Sequence, residues 1–432
     1  MTKHTINSIK AYELIDSRGN PTVSAKVILS DGSSGFALVP SGASTGIYEA
    51  YEKRDDDIKR FLGKGVLKAV DTINNDINKL LNGCDAFDFE STDSKMCNAD
   101  GTENKSNFGA NAILAVSMAT ARASATSLNL PLYRYFNLIS KSIFGYEPEM
   151  ILPVPMMNIL NGGAHADNPI DFQEFMVQPL GFNSFSNSLK AGIEIYHHLK
   201  RNLKNGALSI DVGDEGGFSP NLSSPEEALD LILQSIKDSG YKPGEEVAIA
   251  IDSASSEFYK DREYNLKGMN KKFSSDKLIS YFEKLISEYP ISSIEDGLDE
   301  NDWEGWVKIT ESLGDKVQLI GDDIFVTNSI RLAKGIERKA ANSILIKVNQ
   351  IGTITETLKT IKLALDNNFT SVISHRSGDT EDSLIADLAV GTGVGQIKTG
   401  APSRSERVSK YNRLLMIEHE EGFKFIGQKA LK

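Results

Sequence analysis

Val247-Ala248-Ile249-Ala250-Ile251-Asp252, and then Ile291-Ser292-Ser293-Ile294-Glu295-Asp296, decide the fold of this chain: a short, mainly apolar run ends in a carboxylate, and the plan is repeated. Four more runs follow it, at 317–323, 343–349, 371–376 and 395–399. With Asp252, Glu295, Asp322, Lys347, His375 and Lys398 as markers, the spacings are 43, 27, 25, 28 and 23 residues. A strand of about six residues, a helix of about twelve and two short loops come to roughly 25 residues. The spacing therefore predicts successive βα units, with an insertion in the longest gap. In a βα barrel the carboxyl ends of the strands converge on one face, where the active site is built. That face would carry three carboxylates, two lysines, a histidine and an arginine, and it marks the chain as an enzyme.

Upstream the pattern differs. Val23, Ala25, Val27 and Leu29 alternate with polar neighbours, the period-two signature of a half-buried strand. A turn cluster at 31–35 and a returning strand at 35–40 predict an antiparallel meander with 6–14. Helical patterns follow at 66–81 and 107–127. Strands first and helices after predict a small α+β domain, so the expected organisation is α/β overall: a capping domain at 1–140 and a barrel domain at 141–432. Within the latter, 185–204 reads as an amphipathic helix, and Ser224-Pro225-Glu226-Glu227 as a capped helix start closed by Gly240.

Composition narrows the function. A net charge of −12 argues against a nucleic-acid-coating or membrane-hugging surface, so no direct nucleic-acid binding is expected. It also requires local positive charge wherever an anionic substrate binds. Cys84 and Cys97 read as free thiols of a reducing cytoplasm. Residues 1–12 lack the apolar core of a signal peptide, and no run approaches the roughly 18 apolar residues of a membrane span.

Asp252, Glu295 and Asp322 should sit side by side at three adjacent strand ends, where they repel one another unless a cation neutralises them. Hard oxygen ligands in that number suit Mg²⁺. Each could instead be a helix cap, but caps do not explain the doubled acids Glu295-Asp296 and Asp322-Asp323. Lys347 interrupts an apolar strand; unless it snorkels to the surface, a nearby cation and Lys398 should lower its proton affinity and fit it for general base work. Glu215, in Asp214-Glu215-Gly216-Gly217, has the reach and flexible surroundings of a general acid. The stretches 41–46 and 161–167 read as mobile loops that could bring Ser44 or His165 to a ligand. Ser374-His375-Arg376-Ser377 offers hydroxyls, a guanidinium and backbone donors for a phosphate. Together these groups describe abstraction of a proton next to a carboxylate.

These motifs resemble those of the enolase family over essentially the whole chain: Asp16-Ser17-Arg18-Gly19-Asn20-Pro21-Thr22, 41–46, Gly109-Ala110-Asn111-Ala112, 162–168, Gln173-Glu174-Phe175-Met176, 213–218, 253–258, Gly321-Asp322-Asp323, 347–352, 374–381 and 398–407. The resemblance implies a capping domain on a modified (β/α)8 TIM-like barrel whose first units depart from βα order. It implies dehydration of 2-phosphoglycerate to phosphoenolpyruvate in glycolysis, reversible in gluconeogenesis. Lys347 would be the base at C2 and Glu215 the acid at the C3 hydroxyl. Asp252, Glu295 and Asp322 would hold one Mg²⁺ and Ser44 a second. Arg376 and Ser377 would grip phosphate and Lys398 carboxylate, with His165, Gln173, Glu174, Ser374 and His375 lining the pocket. The segment 53–57 and Gly297 depart from the usual pattern without removing a functional group. A homodimer or ring of dimers is implied, with Arg18 and Glu406 at its contact. Alternatives are another acid-handling member of the superfamily, or a binding role toward plasminogen, which a terminal Lys432 would fit, or toward RNA-degrading assemblies. A cytoplasmic location is expected, with surface display in the binding role.

Overall fold

The computed structural model describes residues 4–42 and 45–431; Ser44 and Lys432 lie outside the described residues. Ile6–Ile15 (β1), Pro21–Leu29 (β2) and Ser34–Leu38 (β3) form an antiparallel sheet in that order. Val23, Ala25, Val27 and Leu29 are buried, but so are the polar Thr22 and Ser24 between them, and only Lys26 of the expected outward positions is exposed. Leu67–Thr72 (α1) and Asn78–Leu81 (α2) are joined by a π turn and followed by Phe89–Asp100 (α3), Ala110–Ser127 (α4) and Leu132–Phe144 (α5). The small-residue helix α4 packs on β2 and β3. Contact there is close: a Cβ on Gly35 would lie 2.2 Å from the Ala119 carbonyl oxygen. Asp56, in the departing segment 53–57, takes a left-handed conformation at φ +59°, where glycine is at ease.

The second unit opens with Val154–Asn161 (β4) and Glu174–Pro179 (β5), then Phe185–Asn205 (α6), Pro225–Asp238 (α7) and Val247–Asp252 (β6). The 43-residue gap holds the expected insertion, a small antiparallel sheet of Tyr259–Lys260 (β7), Glu263–Leu266 (β8) and Lys271–Phe273 (β9). Strands and helices then alternate through Ser275–Glu288 (α8), Ile291–Glu295 (β10), Trp303–Leu313 (α9), Gln318–Gly321 (β11), Ser329–Arg338 (α10) and Ser343–Ile346 (β12). Val348–Ile351 (α11), Ile354–Asp366 (α12), Thr370–Ser374 (β13), Leu384–Thr392 (α13), Gln396–Lys398 (β14) and Ser405–Glu421 (α14) complete the series.

Eight strands close a barrel in the order β10-β11-β12-β13-β14-β4-β5-β6. Neighbours are parallel except that β5 runs against both β4 and β6. No α-helix joins β4 to β5, and antiparallel neighbours need no crossover helix. Reversal has a functional consequence: Glu174, at the start of β5, pairs in register with Asp252 at the end of β6. Below that level Met156, Met176, Ala250, Ile320, Leu345 and Val372 fill the interior, so the barrel is a packed core and not a pore.

The capping unit is locked to the barrel by Arg122 of α4, whose Nη1 and Nη2 each donate to Asp382 at 2.6 Å. Asp382 also accepts the amides of Leu38 and Leu384. The pair is half-buried, with the Arg122 and Asp382 side chains 22% and 6% exposed. Among the described residues no helix is long and apolar enough to cross a membrane.

Candidate active site

Six strand ends deliver the marker residues to one face. Asp252 ends β6, Glu295 ends β10 and Lys398 ends β14, while Asp322, Lys347 and His375 each follow the last residue of their strand. Gln173 and Glu174 join them because β5 is reversed. His165, Gln173, Glu174, Glu215, Lys347, Ser374, His375, Arg376, Ser377 and Lys398 line a single cleft. All but Lys347 are buried.

The acids are largely neutralised from within the chain. Lys398 Nζ lies 3.2 Å from Asp252 Oδ2, 2.9 Å from both Glu295 oxygens and 3.1 Å from Glu174 Oε2. Lys347 Nζ pairs with Asp322, whose other oxygen accepts Gln350 Nε2 at 2.8 Å. Burial pushes the Glu295 carboxyl well up, the Asp252 charge adds to this, and Lys398 offsets only part. Burial and Glu215 likewise raise Glu174. For Lys398, burial pulls downward, but Glu174, Glu295 and Asp252 outweigh it and hold the ammonium firmly protonated. For Lys347 the expected lowering rested on a nearby cation and on Lys398; the carboxylate of the chain's own Asp322 acts the other way. Burial does pull it down, yet the Asp322 carboxylate against it wins and the affinity is raised.

Four carboxylates, Asp252, Glu295, Asp322 and Glu174, face two ammoniums, which leaves a formal −2 on this part of the cleft. That deficit and its hard oxygen donors fit a divalent cation. Gln173 Oε1, buried in the same wall, accepts no hydrogen bond among the described residues. The groups whose ligand-capable atoms come within 4.8 Å of one another are not the expected trio: one cluster is Asp296, Asp322 and Asp323, the other His165, Glu174 and Glu215. Asp296 is committed elsewhere, for its Oδ1 and Oδ2 accept the amides of Asp322 and Asp323 at 2.9 and 3.0 Å. The doubled acid after β10 thus shapes the turn that presents Asp322.

Glu215 is not in flexible surroundings. Gly217 lets its loop press on the end of β4, where a Cβ would meet Asn161 Oδ1 at 2.4 Å. The carboxyl is 2% exposed and wedged between two imidazoles, with His375 Nε2 3.2 Å from Oε2 and His165 Nδ1 3.8 Å from Oε1. Asn158 Nδ2 donates to Oε2 at 3.1 Å. Burial pushes Glu215 up, but His375, His165 and Arg407 together hold it well below the usual carboxylate range. Burial lowers both imidazoles, His375 to about 4. His165 Nε2 lies 3.0 Å from Ser377 Oγ. Ser374 Oγ donates to the neighbouring His375 carbonyl.

Three site residues escape a reading of the strand ends. Glu49 meets Arg376 in a two-pronged pair, Oε2 with Nη1 at 2.9 Å and Oε1 with Nη2 at 3.0 Å. Gln350 steadies Asp322, and Arg407 contacts His375. Glu49 lies just beyond the glycine-containing stretch 41–46, and the other two fall inside matched motifs, which was the only sequence signal for any of them.

Two family models match the chain: Enolase, N-terminal domain, over residues 6–136, and Enolase, C-terminal TIM barrel domain, over residues 149–432.

The neutral imidazole of His375 should be visible in the pH dependence of stability. A free histidine titrates near 6.5, so between that value and about 4 the unfolded chain binds a proton that the folded chain refuses. Stability contributed by this group is complete above pH 6.5 and is lost as pH falls through the window, by about 2–3 kcal/mol at pH 4.5. Urea midpoints of the wild type should therefore fall more between pH 7 and 4.5 than those of His375→Asn. Equal losses would show that the ring is not held neutral.

Proposed function

Because this chain belongs to the enolase family, whose members use a divalent metal, we propose that it catalyses the Mg²⁺-dependent dehydration of 2-phosphoglycerate to phosphoenolpyruvate and water in glycolysis, and the reverse in gluconeogenesis. One observation carries the reading furthest: Lys347, after β12, shares a cleft with Glu215, whose loop rests on β4 three strands further round the barrel. An amine and a carboxyl so placed suit a β-elimination, in which one takes a proton from carbon and the other serves the departing hydroxyl. A lysine base with Mg²⁺ is the established scheme of the enolase superfamily.

In this reading Arg376 and Ser377 hold the substrate phosphate and Lys398 its carboxylate, while His165, Gln173, Glu174, Ser374 and His375 complete the walls. Arg376 is already paired with Glu49, so phosphate must share that guanidinium. Asp252, Glu295 and Asp322 would hold one Mg²⁺ and Ser44 a second, and the chemistry supplied there is neutralisation of charge on the substrate's carboxylate and phosphate. In the free site the raised affinity of Lys347 and the lowered affinity of Glu215 favour an ammonium and a carboxylate. That is the state suited to hydration: the ammonium protonates C2 and the carboxylate takes a proton from water. Dehydration uses each group in its opposite form, a neutral amine at C2 and a carboxylic acid at the C3 hydroxyl.

Adding 2-phosphoglycerate and Mg²⁺ should generate the ultraviolet absorbance of phosphoenolpyruvate, and exhaustive chelation should abolish it. No absorbance would reject the substrate, and full turnover after chelation would reject the metal.

The two catalytic roles should also fail differently. Lys347→Ala should abolish both deuterium exchange at C2 and product formation, since no other group replaces the base. Glu215→Gln keeps the shape but cannot donate a proton as an acid. It should lose about 10²–10⁴-fold in elimination and retain C2 exchange. The reverse pattern would swap the assignments.

Family membership also supports association into a homodimer or ring of dimers. Within one chain Arg18 Nη2 already donates to Ser41 Oγ and the Gly42 carbonyl, and Glu406 accepts Arg404 Nε at 2.8 Å. Any pair between subunits must be added to these contacts or replace them. Light scattering at micromolar concentration should give at least twice the mass of one chain, and a monomer mass rejects the association.

A further inference from the structure

We propose that Arg407 is a positioning residue that fixes the tautomer of His375 and clamps the His375 loop to the Glu215 loop, so that a ring N–H and not a lone pair faces the Glu215 carboxylate. The inference rests on the catalytic reading of Glu215 given above.

Arg407, in α14, is among the largest fully buried side chains, at 0% exposure. A buried guanidinium needs its donors filled, and a carboxylate is the usual partner. Here the nearest carboxylate oxygens are Glu406 Oε1, 3.5 Å from Nε, and Asp379 Oδ2, 4.0 Å from Nη1. Both Nη groups turn elsewhere. Nη1 donates to His375 Nδ1 and to the Arg376 carbonyl, each at 2.6 Å. Nη2 donates to the carbonyls of Ser377 at 2.6 Å and Asp214 at 3.0 Å. Four acceptors from two loops thus take the four Nη hydrogens, and the fifth, on Nε, makes no hydrogen bond among the described residues.

Those donors decide where the histidine proton sits. A guanidinium has no acceptor and does not deprotonate in a protein, so His375 Nδ1 must offer its lone pair. A proton on Nδ1 would point at an Arg407 N–H across 2.6 Å. The neutral ring has one N–H, and it therefore lies on Nε2, the atom 3.2 Å from Glu215 Oε2, a close approach that is not aligned as a hydrogen bond. The backbone is tied by the same residue. Asp214 immediately precedes Glu215, the Ala401 amide donates to the Glu215 carbonyl at 3.0 Å, and Gly400 leaves room for the arginine, since a Cβ there would stand 2.8 Å from Arg407 Cδ. Lysine cannot reproduce this arrangement, because one ammonium cannot reach four acceptors spread along a planar fork.

The tautomer is directly measurable. Long-range proton–nitrogen correlation on the full chain labelled with ¹⁵N-histidine distinguishes protonated from bare ring nitrogens, and loss of one signal set in His375→Asn assigns the residue among six histidines. At pH 7 His375 should carry its proton on Nε2. A proton on Nδ1 overturns the proposal whatever the activity of the enzyme. Arg407→Lys should give a mixed tautomer and slow elimination by about 10–100-fold, the usual loss when a supporting partner is removed. Its KM for 2-phosphoglycerate and its C2 deuterium exchange should change little, a split that general unfolding would not produce. An Arg407→Lys enzyme with the wild-type tautomer and wild-type kcat overturns the clamp. Should that variant not fold, the wild-type spectrum still decides. An Nε2–H ring in a protein that never turns over 2-phosphoglycerate supports the tautomer and rejects the catalytic reading alone.

Discussion

Burial of four carboxylates at the mouth of a barrel is the constraint on which the rest of the site depends. Glu174, Asp252, Glu295 and Asp322 are each at most 5% exposed, and unpaired buried charges are too costly to persist. The chain answers with lysines that rise from other strands into the same cluster. Lys398 touches three of the acids and Lys347 the fourth. Lys398 is thereby fixed by three carboxylates and Asp322 by both Lys347 and Gln350, which is how a site can be both highly charged and well ordered. The residual formal −2 gives a divalent cation its place, and it is created by the same strand ends that define the barrel.

This arrangement follows from topology. In an all-parallel barrel the start of β5 would lie at the opposite end, away from Asp252. Reversal of that one strand brings Glu174 and Gln173 to the active face, opposite the end of β6. The two helices α6 and α7 that follow restore parallel order, after which β6 and β10 to β14 supply the remaining groups. One irregularity in the barrel therefore adds an acid to the site at a position the ordinary βα plan does not reach.

Much of the fold was legible in the sequence because strand ends in a βα repeat are marked by an abrupt change from apolar to charged residues. The six runs from Val247 onward and the antiparallel meander at the start were readable for that reason. β4 and β5 were not. Val154–Asn161 and Glu174–Pro179 are buried along their whole length, so neither shows the alternation of a half-buried strand. Site residues at strand ends could be read in the same way, whereas Gln350 and Arg407 act through helices that only the tertiary fold brings near. The lowered proton affinity expected of Lys347 rested on a nearby cation and on Lys398, whereas sequence does not show which carboxylate lies against the amine. Burial alone lowers such an amine, and Asp322 reverses the sign.

Glu49 explains why the small domain belongs to the site and not only to its surroundings. Its Oε1 accepts the Gly46 amide at 3.2 Å and Gln350 Nε2 at 3.4 Å, and both carboxylate oxygens meet Arg376. Gln350 in turn donates to Asp322. A single carboxylate of the N-terminal unit is thus bonded to its own loop, to the arginine that carries positive charge on this face, and to the amide that orients one of the buried acids. With the Arg122–Asp382 lock holding the two units in register, a shift of the cap relative to the barrel would disturb Arg376 and Asp322 together. The cap and the charged cluster are therefore mechanically one object, although they are far apart in the chain.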